Sequence, residues 1–319
     1  MSFQFAKLSA FSRFEPKMKS TRTMRLFYRQ KVLLGILQAF GGSLTSLNLQ
    51  KYLFLFSALC QKEKSYEFVP YKYGCFSFQS YADRKKLVQQ GILCSADDWT
   101  ITCEYDFLGM LEPGDRQKIE LFADKFRNTK GNALVREVYR KYPYFAIKSE
   151  IAGKLMTDDE QKEISAHKPS VEGKALYTIG YEGNSFEHYL NRLIKNDIRV
   201  LVDVRKNPLS RKYGFSKRTL AETLDKLCIG YLHMPELGIV SEKRRELKTQ
   251  RDYDALFNEY EDAVLSKNDE AIAALINLVE RNQRIAITCF EADVCMCHRG
   301  RVARAVEQHP DWKRKVVHI

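Results

Sequence analysis

The chain has 319 residues, which at about 100 to 200 residues per domain predicts two domains or at most three. Apolar residues make up 45% and charged residues 29%, so global disorder, a collagen-like chain and a disulfide-knot scaffold are excluded. Lysine and arginine outnumber aspartate and glutamate by 52 to 40, a net charge of +12 that favours polyanionic partners.

The opening MSFQFAKLSAFSRFEPKMKS is basic and lacks a continuous apolar region, so it reads as a mobile arm rather than a secretory signal. Residues 1–31 hold eight basic side chains against Glu15 alone. Apolar residues then recur at helical spacing from Met24 to Phe40, and Gly41-Gly42 stops that helix. Ser43 or Thr45 can cap the next helix, LTSLNLQKYLFLFSALCQ, whose stripe of Leu47, Leu49, Tyr52, Leu53, Leu55 and Phe56 is broad enough for a core. Its apolar run Tyr52–Cys60 falls short of the roughly 18 residues a membrane span needs, and Lys62 and Lys64 follow at once. A short strand is expected at Tyr66–Val69, a turn at Gly74, a third helix near Gln79–Gln90, and a hairpin in ILCSADDWTITC turning at Asp97-Asp98. Helices followed by a hairpin are the order of a winged helix, in which one helix enters a groove and the hairpin touches the backbone. Helices continue through residues 113–165, and AHKPSVEGK, residues 166–174, has the most linker-like composition in the chain.

The second half changes character. ALYTIGY is a buried strand ending in Gly180 and Gly183, a helix runs from Ser185 to Lys195, and RVLVDVR is another buried strand. A helix at Ser216–Leu227, a strand at Tyr231–Met234, two helices between Asp252 and Glu280, the strand RIAITCF, a helix at Gly300–Glu307 and a final strand KVVHI complete the order. Strands alternating with helices predict a mainly parallel sheet, with ligands past the carboxyl ends of its strands. The expected organisation is thus residues 1–165 as a mainly α, winged-helix-like domain, 166–174 as a linker, and 175–319 as an α/β domain. Of the basic excess, residues 1–170 carry 27 basic and 18 acidic side chains, against 25 and 22 in residues 171–319.

Chemistry concentrates at the predicted strand ends. Asp203 and Arg205 share a strand face, as do Cys289 and Glu291, and each pair ends a strand. A buried Asp–Arg ion pair is the structural reading of the first pair. Ser210, Arg211 and Lys212 follow on the same loop and suit a phosphate. In Cys289 to Arg299 a strand leads into a helix, so a thiol near that helix N-terminus, beside His298 and Arg299, is expected to have a lowered pKa. Three readings of this cluster stand: Cys297 as a nucleophile or redox thiol activated by His298; zinc on Cys289, Cys295, Cys297 and His298, against which the C-x-C step lacks the common C-x2-C spacing; or packing cysteines, with Glu291, His298 and Arg299 handling a sugar-phosphate. A junction without chemistry is the fourth. Cys295 to Arg301 also fits C-x5-R, which reads as a chance match. His233 falls at a third strand end, and Tyr181 with Glu182 on the first strand-to-helix turn.

These blocks carry a resemblance. LYTIGYEG (176–183), LVDVRKNPLSRKYGFS (201–216), GYLHMPELG (230–238) and CFEADVCMCHR (289–299) make residues 175–309 resemble the family filed as domain of unknown function 488. The resemblance implies a fold and a site, and leaves the reaction open. It carries Cys289, Glu291, Cys297, His298 and Arg299 onto the family pattern, with Cys295 an addition in this chain. In the first half, LTSLNLQKYLFLFSAL followed by YEFVPYKYGCFSFQSY is similar to the Panacea domain of SocA-type antitoxins over about residues 45–95, with Cys75 standing where that pattern commonly has proline. That resemblance implies a winged-helix-related module of toxin–antitoxin and phage-defence settings. A basic face of Lys72, Arg84, Lys85 and Lys86 would serve phosphates, with Tyr71 and Tyr73 near for stacking.

The expected function is that of a nucleic-acid-associated protein whose second half acts on a phosphate-bearing, nucleic-acid-derived substrate. Glu291, Cys297, His298, Asp203 and Cys289 would do the chemistry, and Arg205, Ser210, Arg211, Arg299, Tyr181 and His233 would bind the substrate. The rival is a non-enzymatic sensor or regulator that recognises nucleic acid, a modified nucleotide or a partner protein. No cofactor and no membrane partner are expected, and eight cysteines without a secretory signal predict reduced thiols in the cytosol.

Overall fold

The computed structural model describes residues 25–240, 247 and 249–319. The expected N-terminal arm, Met24 at the start of the first predicted helix, and five of the eight basic residues counted up to position 31 lie outside the described residues.

The first half is helical. Helices α1 (Tyr28–Ala39) and α2 (Ser46–Cys60) are joined through β1 (Ser43–Leu44), and Thr45 Oγ1 caps α2 by accepting from the Asn48 amide at 3.3 Å. A small hairpin, β2 (Val69–Tyr71) and β3 (Gly74–Phe76), precedes α3 (Phe78–Gln89). The expected strand at Tyr66–Val69 is therefore displaced toward the turn at Gly74, whose φ of +93° suits glycine. Strand β4 (Trp99–Thr100) pairs antiparallel with β1, and Leu93 bridges Ile101 around the Asp97-Asp98 turn. Helices α4 (Pro113–Phe126), α5 (Gly131–Lys141), α6 (Ala152–Leu155) and α7 (Asp158–Ala166) follow. Leu33, Leu37, Leu49, Leu53, Phe122 and Val138 meet in one core, each buried apolar side chain contributing about 2 kcal/mol.

The second half is α/β, as its alternating pattern predicts. Its elements are β5 (Ala175–Gly180), α8 (Phe186–Lys195), β6 (Val200–Asp203), α9 (Lys217–Lys226), β7 (Gly230–His233), α10 (Gln250–Ala263), α11 (Asp269–Asn282), β8 (Arg284–Cys289), α12 (His298–Gln308) and β9 (Val317–His318). The strands form one parallel sheet in the order β7-β6-β8-β5-β9. Alternation along each strand divides the core. Tyr177, Ile179 and Leu201 pack under α8 and α9 with Leu190 and Leu224. Leu176, Val202, Ile285 and Ile287 pack on the other face with Leu275 and Val302 of α11 and α12. The chain therefore leaves β5 and β6 toward one face and leaves β8, which lies between them, toward the other. Strand ends at such a reversal form a crevice in open α/β sheets.

The two halves are joined by polar contacts around α8. Glu187 accepts from Ser77 Oγ at 3.1 Å and from the Gln79 amide at 2.7 Å. Asn191 donates to the Phe68 carbonyl at 2.7 Å and accepts from Tyr144 Oη at 2.8 Å. Tyr213 Oη donates to the Phe78 carbonyl at 2.9 Å.

Candidate functional site

The register brings three separately encoded segments to one rim. Asp203 is level with both His233 and Thr288, and Gly180 is level with Cys289. The end of β5 passes so close to the loop after β8 that a Cβ on Gly180 would lie 1.8 Å from the Glu291 carbonyl oxygen. Backbone bonds from Tyr181 and Glu182 to the Phe290 carbonyl, at 3.0 and 2.8 Å, hold the two loops together.

Asp203 and Arg205 form a buried ion pair. Arg205 Nε and Nη2 donate to the two Asp203 oxygens at 2.8 and 2.5 Å, and Nη1 donates to Tyr181 Oη and the Phe215 carbonyl, both at 2.9 Å. Four of the five guanidinium N–H groups are thus spent inside the protein. Burial opposes the Arg205 charge, and the Asp203 carboxylate more than offsets it, so the arginine pKa is raised. Tyr231 Oη supplies a further donor to Asp203 at 2.7 Å, and burial, then Asp203, pushes its phenol pKa up. The guanidinium lies over the Tyr181 ring, which stacks on Phe215 at 4.2 Å. The structural reading of this pair holds, and the expected phosphate-binding role of Arg205 has one N–H left to work with.

Arg299 is also turned inward. Its Nη1 and Nη2 clamp the carbonyls of Glu291 and Ala292, the latter at 2.8 Å, while its buried Nε has no hydrogen-bond partner. It shapes the loop rather than facing solvent. His233 bridges the Arg205 carbonyl, 2.9 Å from Nε2, and Lys217 Nζ, 3.0 Å from Nδ1, an arrangement that suits a proton on Nε2.

The thiol cluster departs from the expected activation. Cys297 caps α12 but is 1% exposed, and burial, followed by its contact with Cys289, pushes its thiol pKa well up against the opposing pull of His298. Desolvation outweighs the helix terminus here, whose effect is worth about 0.3–1 kcal/mol. Cys289 Sγ lies 3.5 Å from His298 Nδ1 and 3.4 Å from Glu291 Oε2, and His298 Nε2 lies 3.0 Å from the Val204 carbonyl. Cys289, Cys297 and His298 form the one group of metal-type donors among the described residues, with ligand atoms within 4.8 Å of one another. Cys295 is exposed and outside that group, and Arg301 pairs with Glu261 at 3.1 Å, so the C-x5-R spacing makes no phosphate loop.

The accessible part of the rim is its outer edge. Glu182, Lys206 and Arg211 are exposed, and Glu291, Ser210 and Lys212 are half-buried. Ser210 Oγ accepts from the Lys212 amide at 3.1 Å, and Lys212 Nζ donates to the Tyr181 carbonyl at 3.1 Å. Arg211 makes no ion pair among the described residues.

A polar opening lies beside this edge, between the two halves. A cavity of about 710 Å³ is bounded by Lys62, Lys64 and Lys86 of the first half and by Gly183, Ser185 and Lys212 of the second. Those four lysines have no carboxylate partner among the described residues, whereas Arg29, on the same wall, is held by Asp83 at 2.6 Å. Two carboxylates share the walls: Glu67 accepts from Ser185 Oγ, and Glu187 is engaged as above. Partial burial lowers the Lys212 pKa, with Glu182 opposing.

Of the basic face expected on the first half, only Lys86 borders this cavity. Lys72 pairs with Glu150 at 3.2 Å; Arg84 is tied to the Ala96 and Asp98 carbonyls and lies over Trp99; Lys85 is exposed elsewhere on α3. Tyr71 and Tyr73 instead line a separate apolar pocket of about 310 Å³ with Lys51, whose Nζ donates to the Cys75 carbonyl at 3.2 Å and whose pKa is lowered by burial. Sequence reasoning missed Lys62 and Lys64 as cleft residues. Their one signal was position, directly after the apolar run of α2.

Residues 185–306 match the family model described as Domain of unknown function DUF488. The matched segment runs from the cap of α8 into α12, so it contains Asp203, Arg205, His233, Glu291 and the Cys289–Cys297–His298 group, and leaves Tyr181 outside. No curated protein and no solved structure matches the chain.

Proposed function

We propose that the protein binds a nucleic acid, or a fragment of one, in the cleft between its helical half and its sheet, and that the second half acts there on a phosphate-bearing part of that ligand. The observation that carries this reading is the cleft itself. Four lysines without carboxylate partners among the described residues face an opening of about 710 Å³, within the range of about 300–1,000 Å³ usual for ligand sites. It reaches the turn Gly183–Ser185 after β5, at the carboxyl end of the parallel sheet. The similarity of the first half to the Panacea domain, and its helix-then-hairpin order, support a winged-helix-like module working in host defence or mobile-element control.

The burial of Asp203, Arg205, Cys297, His298 and Arg299 favours a second reading, in which the same cleft serves recognition without chemistry. A fluorescent single-stranded oligonucleotide tests the shared part. Lys64→Glu and Lys212→Glu each weaken binding by about ten-fold or more, as expected for a phosphate contact reversed in sign, while Lys85→Glu, away from the cleft, leaves it within about two-fold. Equal effects of all three would refute a cleft-specific site. Glu291→Gln with Cys297→Ser then separates the readings: if oligonucleotide binding and cellular function both survive, the enzymatic reading fails.

A further inference from the structure

Two sulfurs and one imidazole converge on a single buried point at the rim. Cys289 ends β8, Cys297 caps α12 and His298 opens it; all three are buried, with their donor atoms within 4.8 Å of one another. Cys289 Sγ and His298 Nδ1 are 3.5 Å apart. Tetrahedral zinc, with bonds of about 2.3 Å to sulfur and about 2.0 Å to nitrogen, sets its donors roughly 3.5 Å apart, so the cluster needs only small adjustments to close on an ion.

The imidazole is already oriented for this. The Val204 carbonyl, 3.0 Å from Nε2, takes the proton on that nitrogen and leaves the Nδ1 lone pair toward the sulfurs. Metal-bound histidines are oriented in this way by a hydrogen bond from the second nitrogen. Glu291 Oε2, 3.4 Å from Cys289 Sγ, places a carboxylate at the more exposed side of the cluster. Charge also favours the ion: the two thiolates neutralise one divalent cation, their protons pass to solvent on binding, and the one remaining negative charge lies on the half-buried Glu291 carboxylate.

We propose that Cys289, Cys297 and His298 bind one zinc ion, with the Glu291 carboxylate at the fourth position. Cys295, two residues before Cys297 but exposed, is not a ligand. The site fixes the loop between β8 and α12 against the ends of β5 and β6, independently of whether the neighbouring cleft binds nucleic acid.

The test uses the full chain, stripped of metal and reloaded with zinc or with cobalt. Wild type and Cys295→Ser retain one zinc per chain after desalting, and their cobalt forms show thiolate-to-cobalt charge-transfer absorption. Cys289→Ser and Cys297→Ser lose the zinc and that absorption, and Glu291→Gln shifts the cobalt spectrum while keeping the absorption. Substoichiometric zinc with no thiolate–cobalt band in the wild type overturns the proposal, as does a Cys289–Cys297 disulfide found by mass spectrometry, or loss of metal from Cys295→Ser. If either cysteine variant fails to fold, the wild-type stoichiometry and cobalt spectrum decide the matter alone.

Discussion

Glu187→Gln probes the junction between the halves most sharply. Glu187 is 2% exposed, at the start of α8, and takes two hydrogen bonds from the start of α3. Burial raises its pKa from 4.5 to about 7, with Glu67 adding to the rise and the Gln79 amide, its own amide and Ser77 opposing it. The folded state therefore binds this proton more tightly than the unfolded chain. The associated stability is fully present below about pH 4.5 and is lost as pH rises toward 7. At 1.36 kcal/mol per pKa unit, the shift from 4.5 to about 7 amounts to about 3 kcal/mol lost across that window. Glutamine keeps an acceptor for Ser77 and Gln79 but cannot ionise. Urea denaturation of both proteins from pH 4 to 9 isolates the effect, since every other ionisable group is common to the two chains. The variant is expected to be within about 1 kcal/mol of wild type near pH 4.5 and more stable by up to about 3 kcal/mol above pH 8. A stability difference that does not change with pH would refute the reasoning.

Asp203→Asn leaves the Arg205 charge buried without its counter-ion and should cost about 3–5 kcal/mol in denaturant unfolding; a cost below about 1 kcal/mol would mean that the pair is solvated and free to serve a ligand. Gly180→Ala forces the β5 end away from the Glu291 carbonyl and is expected to lower stability by about 1–3 kcal/mol, seen as a lower melting temperature; an unchanged melt would show that the two loops are not in contact.

Much of the second half was legible because buried parallel strands print their character locally. RIAITC is buried along its whole length, and its apolar run was sufficient to find it. The meeting of the DVR, LHMP and CFE segments followed from the rule that strand ends share a rim. Direction and burial of side chains were not legible. Arg84, Lys85 and Lys86 look like one basic patch in sequence, yet successive helical residues diverge by about 100°, and Lys86 alone reaches the cleft. Glu187 reads as an ordinary first-turn helix acid, since its partners Ser77 and Gln79 lie more than a hundred positions away. Cys297 was misjudged because spacing reveals a helix terminus but not the packing that dehydrates it. The start of α12 at His298 rather than Gly300 has a similar cause: glycine suggested a boundary, whereas it is needed inside the first turn, where a Cβ would lie 2.6 Å from the Val294 carbonyl.

The salt dependence of oligonucleotide binding tests the central claim, that the cleft between the halves is a polyanion site. With four lysines each neutralising a phosphate, the slope of log K against log salt for a single strand should be about −3, and Lys64→Gln with Lys212→Gln should bring it to about −1.4. A slope near zero in the wild type, or one that the double substitution leaves unchanged, would contradict the account.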